Sequence, residues 1–167
     1  MTEDIQVKAL IEAFGTGKVI AEIGCYQGAT TKALAEAGNK VIAVDPFEGG
    51  YDPNDKISNW LQNGDTMIKK TFLKNIEGLK VEWYQMTGLD AFSQVNEELD
   101  GIFVDSCHTY DGVKEDSIWI QKVKEGGILA FHDYTNTFPG VKKFIDEELI
   151  PKYKLIKQEG TLVIFKK

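Results

Sequence analysis

The stretch KVIAEIGCYQGATTKALAEAGNKVIAVDPF, residues 18–47, decides the fold. KVIAEI (18–23) is a short apolar run stopped at Gly24, and KVIAVD (40–45) is another stopped by Pro46. Between them residues 29–37 read as a helix ending at Gly38, a left-handed cap. Strand, helix, strand is the start of an alternation that runs the length of the chain. Upstream, Ile5, Leu10, Ile11 and Phe14 recur at helical spacing over residues 4–14, closed by Gly15 and Gly17. Downstream, residues 47–63 are a loop rich in Gly, Asp and Asn that leads into a helix carrying Met67, Ile68, Phe72 and Leu73. KVEWYQM (80–86) alternates as a strand, a short helix follows around Leu89, Phe92 and Val95, and GIFVDS (101–106) is the next strand. Residues 111–124, with Val113, Ile118, Trp119 and Val123, predict a helix ending at Gly126-Gly127. GILAFHD (127–133) is the fifth strand, and Val141, Phe144, Ile145 and Leu149 mark the last helix. The ending differs: residues 153–157 and 161–165 are strand-like runs joined by Gln158-Glu159-Gly160, a hairpin with no room for a helix. Five βα units and a terminal hairpin make an α/β three-layer sandwich with a mostly parallel sheet.

Composition narrows the function. At 167 residues the chain is expected to be one domain, 1–167, against a prior of about 100–200 residues per domain. A chain of that length buries roughly two-thirds of its unfolded surface without metal or disulfide staples. A net charge of -7 argues against nucleic acid as a partner, because phosphate binding needs a basic face. The N-terminus, MTEDIQVKALIEAFG, is acidic and amphipathic, unlike a signal peptide. No apolar run approaches the roughly 20 residues that span a bilayer. Cys25 and Cys107 are too few for a secreted disulfide scaffold. A cytoplasmic protein without a membrane partner is the expectation.

In open α/β sheets, ligands bind beyond the carboxyl ends of the strands. After the first strand stand Glu22 and the loop Gly24-Cys25-Tyr26-Gln27-Gly28. The spacing is G-x-x-x-G, not the G-x-G-x-x-G of a dinucleotide fingerprint. A carboxylate on a buried strand is costly unless something pairs with it, and a ligand amine would serve. Read alone, the loop is equally a structural glycine turn. After the second strand stand Asp45, Pro46 and Phe47; the acid suits the two hydroxyls of a ribose, and Phe47 would stack on or flank the base. Alone, Asp45 also reads as an ordinary strand-to-turn aspartate, but together the loops suit one nucleoside lying across both strand ends. After the fourth and fifth strands come Asp105 with His108, and His132 with Asp133. Two carboxylates and an imidazole suit Mg²⁺ or Mn²⁺, and His108 suits a general base for a hydroxyl. Helix capping by the two aspartates is the plainer alternative.

These residues resemble class I S-adenosylmethionine-dependent methyltransferases, narrowly the small bacterial and phage members grouped with macrocin- and novobiocin-type sugar O-methyltransferases and cephalosporin hydroxylase-like proteins. The resemblance runs from Lys18 to Lys167 through three stretches: AEIGCYQG (21–28), VDPF (44–47) and FVDSCHTYDGV (103–113), with Asp116, Trp119, Gly126-Gly127, His132-Asp133-Tyr134 and Gly140-Val141 following. It implies a Rossmann-like sheet of seven strands whose terminal hairpin supplies the one antiparallel strand. It also implies S-adenosylmethionine as cofactor, with Glu22, Gly24, Tyr26 and Gly28 at its methionine part, Asp45 at the ribose hydroxyls, and Cys25, Pro46 and Phe47 among the residues that bind it. Met86 and Thr87 would lie near the adenine, and Asp105 borders the same pocket. Asp105, His132 and Asp133 would hold a divalent cation, Mg²⁺ or Mn²⁺, and His108 with Asp105 would be catalytic. His132 stands where metal-using relatives carry an acid. The implied reaction is methyl transfer to a hydroxyl of a small molecule or sugar, in a pocket shaped by residues 47–63. The chain begins almost at the fold, whereas relatives acting on large natural products carry N-terminal extensions or lid segments, so the expectation is either a more open site or one completed by a second subunit of a homo-oligomer. The rival readings are a non-catalytic nucleoside-binding accessory protein and, disfavoured by the missing third glycine, an NAD-linked oxidoreductase.

Overall fold

The computed structural model describes residues 2–48 and 66–167. A leading helix α1 (Asp4–Phe14) is followed by β1 (Val19–Ile23), α2 (Ala29–Glu36) and β2 (Lys40–Val44). Then come α3 (Thr66–Ile76), β3 (Val81–Tyr84), α4 (Gly88–Phe92), β4 (Leu99–Val104) and α5 (Tyr110–Asp116). The chain closes with β5 (Val123–Phe131), α6 (Pro139–Phe144), β6 (Lys154–Glu159) and β7 (Leu162–Lys166). The seven strands lie in the order β3-β2-β1-β4-β5-β7-β6. All pairings from β3 to β5 are parallel, and β7 runs antiparallel to both of its neighbours. The seven-stranded, mostly parallel sheet with a terminal hairpin is therefore the observed architecture.

The period-two alternation of the strands sorts their side chains into two cores. Ile20, Val41, Phe103, Ala130 and Ile164 pack against Leu10 and Phe14 of α1 and Leu34 of α2. Their neighbours Ala21, Ile42, Ile102, Leu129 and Val163 face the other way, onto Val113 of α5, Trp119, and Val141 and Phe144 of α6. Both faces of the central strands are covered, which is why those strands read as unbroken apolar runs. A smaller cluster of Phe47, Ile68, Phe72 and Ile76 closes the β2–β3 edge.

The structure departs from the sequence reading in three places: the helix over 111–124, the last helix and the turn of the terminal hairpin. The helix expected over 111–124 is α-helical only to Asp116; Ser117–Lys122 tighten into a 3₁₀ helix. Trp119 explains the change, because it is fully buried and its Nε1 donates to the Gly88 carbonyl at 2.9 Å. Gly126-Gly127 then lie inside β5, which begins at Val123, and the β4–β5 register shifts between Leu99 and Gly101. The glycines form a bulge there: a Cβ on Gly127 would stand 2.7 Å from the Asp100 carbonyl oxygen. At the other end, the last helix runs from Pro139 to Phe144 and widens to a π-turn over Ile145–Leu149. Most of the loop expected over 47–63 lies outside the described residues.

Candidate active site

Reading outward from β1, the chain passes to β2 and β3 on one side and to β4 and β5 on the other. The strand order reverses between β1 and β4, so a crevice is expected beyond their carboxyl ends. The residues that follow β1, β2, β4 and β5 build it.

Glu22 is buried on β1, and Thr31 Oγ1 from α2 donates to its Oε2 at 2.5 Å. Burial pushes its carboxyl up to about 8; the Thr31 hydrogen bond opposes that, and the charges of Asp105 and Asp45 add to it. Gly24 follows with φ 89°, and a Cβ there would lie 2.2 Å from the Asp105 carbonyl oxygen. The glycine is required because the chain after β4 crosses directly over it. Tyr26 is exposed, and its N–H donates to Asp45 Oδ2 at 2.8 Å, while the Phe47 N–H donates to Asp45 Oδ1 at 2.7 Å. Asp45 thus ties the loop after β1 to the loop after β2. Burial pushes its carboxyl up, against the pull of those two N–H groups. Gly28 forms the N-cap of α2.

The remaining residues that the sequence assigns to a nucleoside are spread differently. The Phe47 ring is turned into the protein, 5.0 Å from Phe72 and 6.2 Å from Trp83 between centroids. Cys25 is buried in that same cluster, and it and Cys107 are free thiols. The Pro46 carbonyl accepts from Gln85 Nε2 at 3.4 Å. Thr87 caps α4, its hydroxyl accepting from the Asp90 N–H at 3.2 Å. Met86 Sδ accepts from Gln94 Nε2 at 3.2 Å.

On the other side of the crevice four side chains form one continuous array. His132 Nδ1 lies 3.1 Å from Asp105 Oδ1 and 3.1 Å from Asp133 Oδ1, and Asp133 Oδ2 lies 2.8 Å from His108 Nε2. Asp133 therefore bridges two imidazoles, in a left-handed backbone conformation (φ 60°) uncommon for a residue with a side chain. Burial opposes the charge on His132, but the hydrogen bonds to Asp105 and Asp133 outweigh it and raise the ring to about 9. Burial likewise works against the Asp133 carboxylate, and the contacts with His108 and His132 hold it well below the usual carboxylate range. The ligand atoms of Asp105, His132 and Asp133 lie within 4.8 Å of one another, a spacing that one cation can bridge. Two carboxylate oxygens and a ring nitrogen are a donor set suited to a divalent ion.

Sequence reasoning missed the residues that support this array from other elements. Phe138 stacks on His108 at 4.0 Å with 23° between the planes. Thr2 Oγ1 donates to Asp105 Oδ2 at 3.0 Å. Gln6 and Thr161 reach His132 Nε2 from α1 and from the β6–β7 turn. Thr31 was legible only as a helix-start residue. Gln6 carries no signal at all, since a glutamine in an amphipathic helix reads as solvent-facing. Among the described residues no helix is long and apolar enough to cross a membrane.

A family model described as a methyltransferase domain matches residues 21–134. No curated protein matches the sequence. Among solved structures, the O-methyltransferase NovP is similar at TM-score 0.74 and 16% identity, over 96% of this chain and 78% of that one. The O-methyltransferase TomG from Streptomyces achromogenes, in complex with SAM, is similar at TM-score 0.70 and 15% identity, over 100% of this chain and 82% of that one. An rRNA methylase from Streptococcus thermophilus is similar at TM-score 0.63 and 17% identity, over 100% and 98%.

Proposed function

The chain belongs to the methyltransferase-domain family, and on that premise we propose that it transfers the methyl group of S-adenosylmethionine to a hydroxyl of a small molecule or sugar. The observation that carries this reading is the array His108–Asp133–His132–Asp105, built where the strand order reverses and beside the two nucleoside-side loops. The net charge of -7 favours a small acceptor over RNA.

Bound S-adenosylmethionine supplies an electrophilic methyl group on a sulfonium sulfur. Glu22 and the Gly24–Gly28 loop hold its amino-acid end. Asp45 accepts from the ribose hydroxyls; its two oxygens have each used one lone pair on a backbone N–H and keep others. Phe47 supports that contact through its own N–H, while Met86 and Thr87 border the base. His108 takes the acceptor proton as the oxygen–methyl bond forms and the carbon–sulfur bond breaks. Asp133 orients the ring through Nε2, 2.8 Å from its Oδ2. Asp133, held ionised, balances the charge the ring gains. Phe138 stops the ring from rotating away. Asp105, His132 and Asp133 would hold a divalent cation such as Mg²⁺ or Mn²⁺, which would supply positive charge to lower the pKa of the acceptor hydroxyl.

Calorimetric titration with S-adenosylmethionine and S-adenosylhomocysteine tests the cofactor, and S-adenosylhomocysteine release with a panel of sugar and phenolic hydroxyls tests the reaction. Micromolar binding is expected, with His108→Ala keeping that affinity and losing about 10²–10⁴ in turnover. Failure of both nucleosides to bind removes the methyl donor from the reading, and full turnover in His108→Ala removes the base.

A further inference from the structure

Gln6 lies on α1, ahead of the first strand, yet it is only 2% exposed. Its side chain ends against His132. Two fixed partners decide which way its amide points. The Glu3 N–H donates to Oε1 at 2.9 Å, and Nε2 donates to the Glu159 carbonyl oxygen at 3.1 Å and to Thr161 Oγ1 at 3.0 Å. Turning the amide over would set oxygen against the Glu159 oxygen and N–H against the Glu3 N–H, two contacts of like polarity. Oε1 is therefore the atom 3.1 Å from His132 Nε2. An amide oxygen only accepts, so Nε2 of the ring must carry a hydrogen. Thr161 Oγ1, 3.2 Å from the same nitrogen, tolerates this because a hydroxyl also accepts.

We propose that Gln6 is a positioning residue that commits the proton of the His132 ring to Nε2 and so turns Nδ1 to the cleft between Asp105 and Asp133. A neutral ring of this tautomer sets its lone pair 3.1 Å from a carboxylate oxygen on either side. Only a proton or a cation on Nδ1 relieves that repulsion. Gln6 thereby makes the cleft a place that has to hold positive charge, and Nδ1 the ligand nitrogen. The ligand role rests on the cation reading above; the placement of the ring proton does not. A hydrogen bond to the non-ligating nitrogen of a histidine is a common way to orient the ring toward a metal. Here the polarity is set by the helix that precedes the sheet, through an amide that also closes the first turn of that helix.

Two-bond ¹⁵N–¹H NMR on protein with ¹⁵N-labelled histidine reads which nitrogen carries the proton. It is run with saturating Mg²⁺, and without cation at alkaline pH where the ring is neutral. The wild type is expected to show Nε2–H and bare Nδ1 in both states. Gln6→Leu is expected to give mixed tautomers and to bind Mg²⁺ about 10–100-fold more weakly. Thr161→Val, which keeps Oε1 in place through Glu3 and Glu159, is expected to leave the tautomer unchanged; it carries the test if Gln6→Leu does not fold. Nδ1–H in the neutral wild-type ring overturns the proposal, and so does a folded Gln6→Leu protein with unchanged tautomer and Mg²⁺ affinity. Nε2–H in a protein that binds no Mg²⁺ supports the placement of the proton by Gln6 and overturns only the cation.

Discussion

Glu22 and Asp45, at the ends of adjacent strands, are both buried carboxylates, but their partners differ. Asp45 has two backbone N–H groups, whereas Glu22 has one hydroxyl; burial pushes the Glu22 carboxyl up to about 8, the Thr31 hydroxyl opposes this, and the charges of Asp105 and Asp45 add to it. The folded protein keeps Glu22 protonated to higher pH than the unfolded chain, where the ordinary value of 4.5 applies. Its contribution to stability is therefore complete below about 4.5 and is lost as pH rises through about 8. Each tenfold change in proton affinity is worth about 1.4 kcal/mol, so the loss by pH 9 is of the order of several kcal/mol. Glu22→Gln removes the ionisation and keeps the hydrogen-bonding shape. Urea unfolding of the ligand-free protein is expected to show the variant gaining roughly 2–5 kcal/mol on the wild type between pH 4 and pH 9. A difference that does not change with pH would mean that Glu22 ionises normally in the fold. At this scale the gathering of Glu22, Asp45, Asp105, His108, His132 and Asp133 at one edge of the sheet was legible, because all lie at or just after the strand ends. Their supports were not. Thr31, Phe138 and Gln6 arrive from helices and turns elsewhere in the chain, and nothing in their own segments says which side chain they meet.

The elements were legible where burial is periodic and illegible where one large side chain overrides the period. Strands β1, β2 and β4 bury both faces, so their apolar runs announce them. The stretch 111–122 keeps a helical spacing in sequence, but seating Trp119 in the core beside Gly88 tightens the backbone, and the diglycine that reads as a helix stop serves as a bulge in β5. The hairpin is also tighter than read, with Glu159 paired to Leu162 and only Gly160 and Thr161 in the turn. Gly24 is the element-scale residue with the sharpest consequence, because it lets the chain after β4 pass over the chain after β1. Gly24→Ala brings both an unfavourable left-handed backbone and a Cβ 2.2 Å from the Asp105 oxygen. Gly38→Ala is the natural control: its φ is 92°, but its nearest neighbour is Thr16 Oγ1 at 3.5 Å. Backbone strain alone is worth about 1–3 kcal/mol, the loss expected at Gly38. At Gly24 a loss of more than about 3 kcal/mol is expected, since Asp105 must also move. Chemical unfolding of the two variants makes the comparison, and equal losses would mean that the chain at Asp105 yields to the added methyl group at no cost.

At the scale of the molecule the sheet divides the work. Strands β1 to β3 carry the loops proposed to hold the nucleoside, β4 and β5 carry the histidine–aspartate array, and the two groups adjoin at β1 and β4, where Gly24 meets Asp105. On the proposed function each half takes its own ligand, so each ligand is expected to stabilise the fold through its own half. A ligand present at 100 times its dissociation constant adds about 2.7 kcal/mol to the native state. For a chain of this length that is a rise of roughly 5–11 °C in melting temperature. S-adenosylhomocysteine is expected to give such a rise in the wild type, and Mg²⁺ after exhaustive chelation a further one. In Asp133→Asn the Mg²⁺ rise is expected to vanish, since the bridge between the two imidazoles is gone, while the S-adenosylhomocysteine rise remains because Asp133 touches none of Glu22, Tyr26 or Asp45. Scanning calorimetry on both proteins, with each ligand alone and with both, separates the cases. Loss of both rises in the variant would show that the array holds up the nucleoside loops as well, so that the two halves act as one site. A Mg²⁺ rise that survives the substitution would place the ion away from the cleft, and the acceptor hydroxyl would then depend on His108 and Asp133 alone.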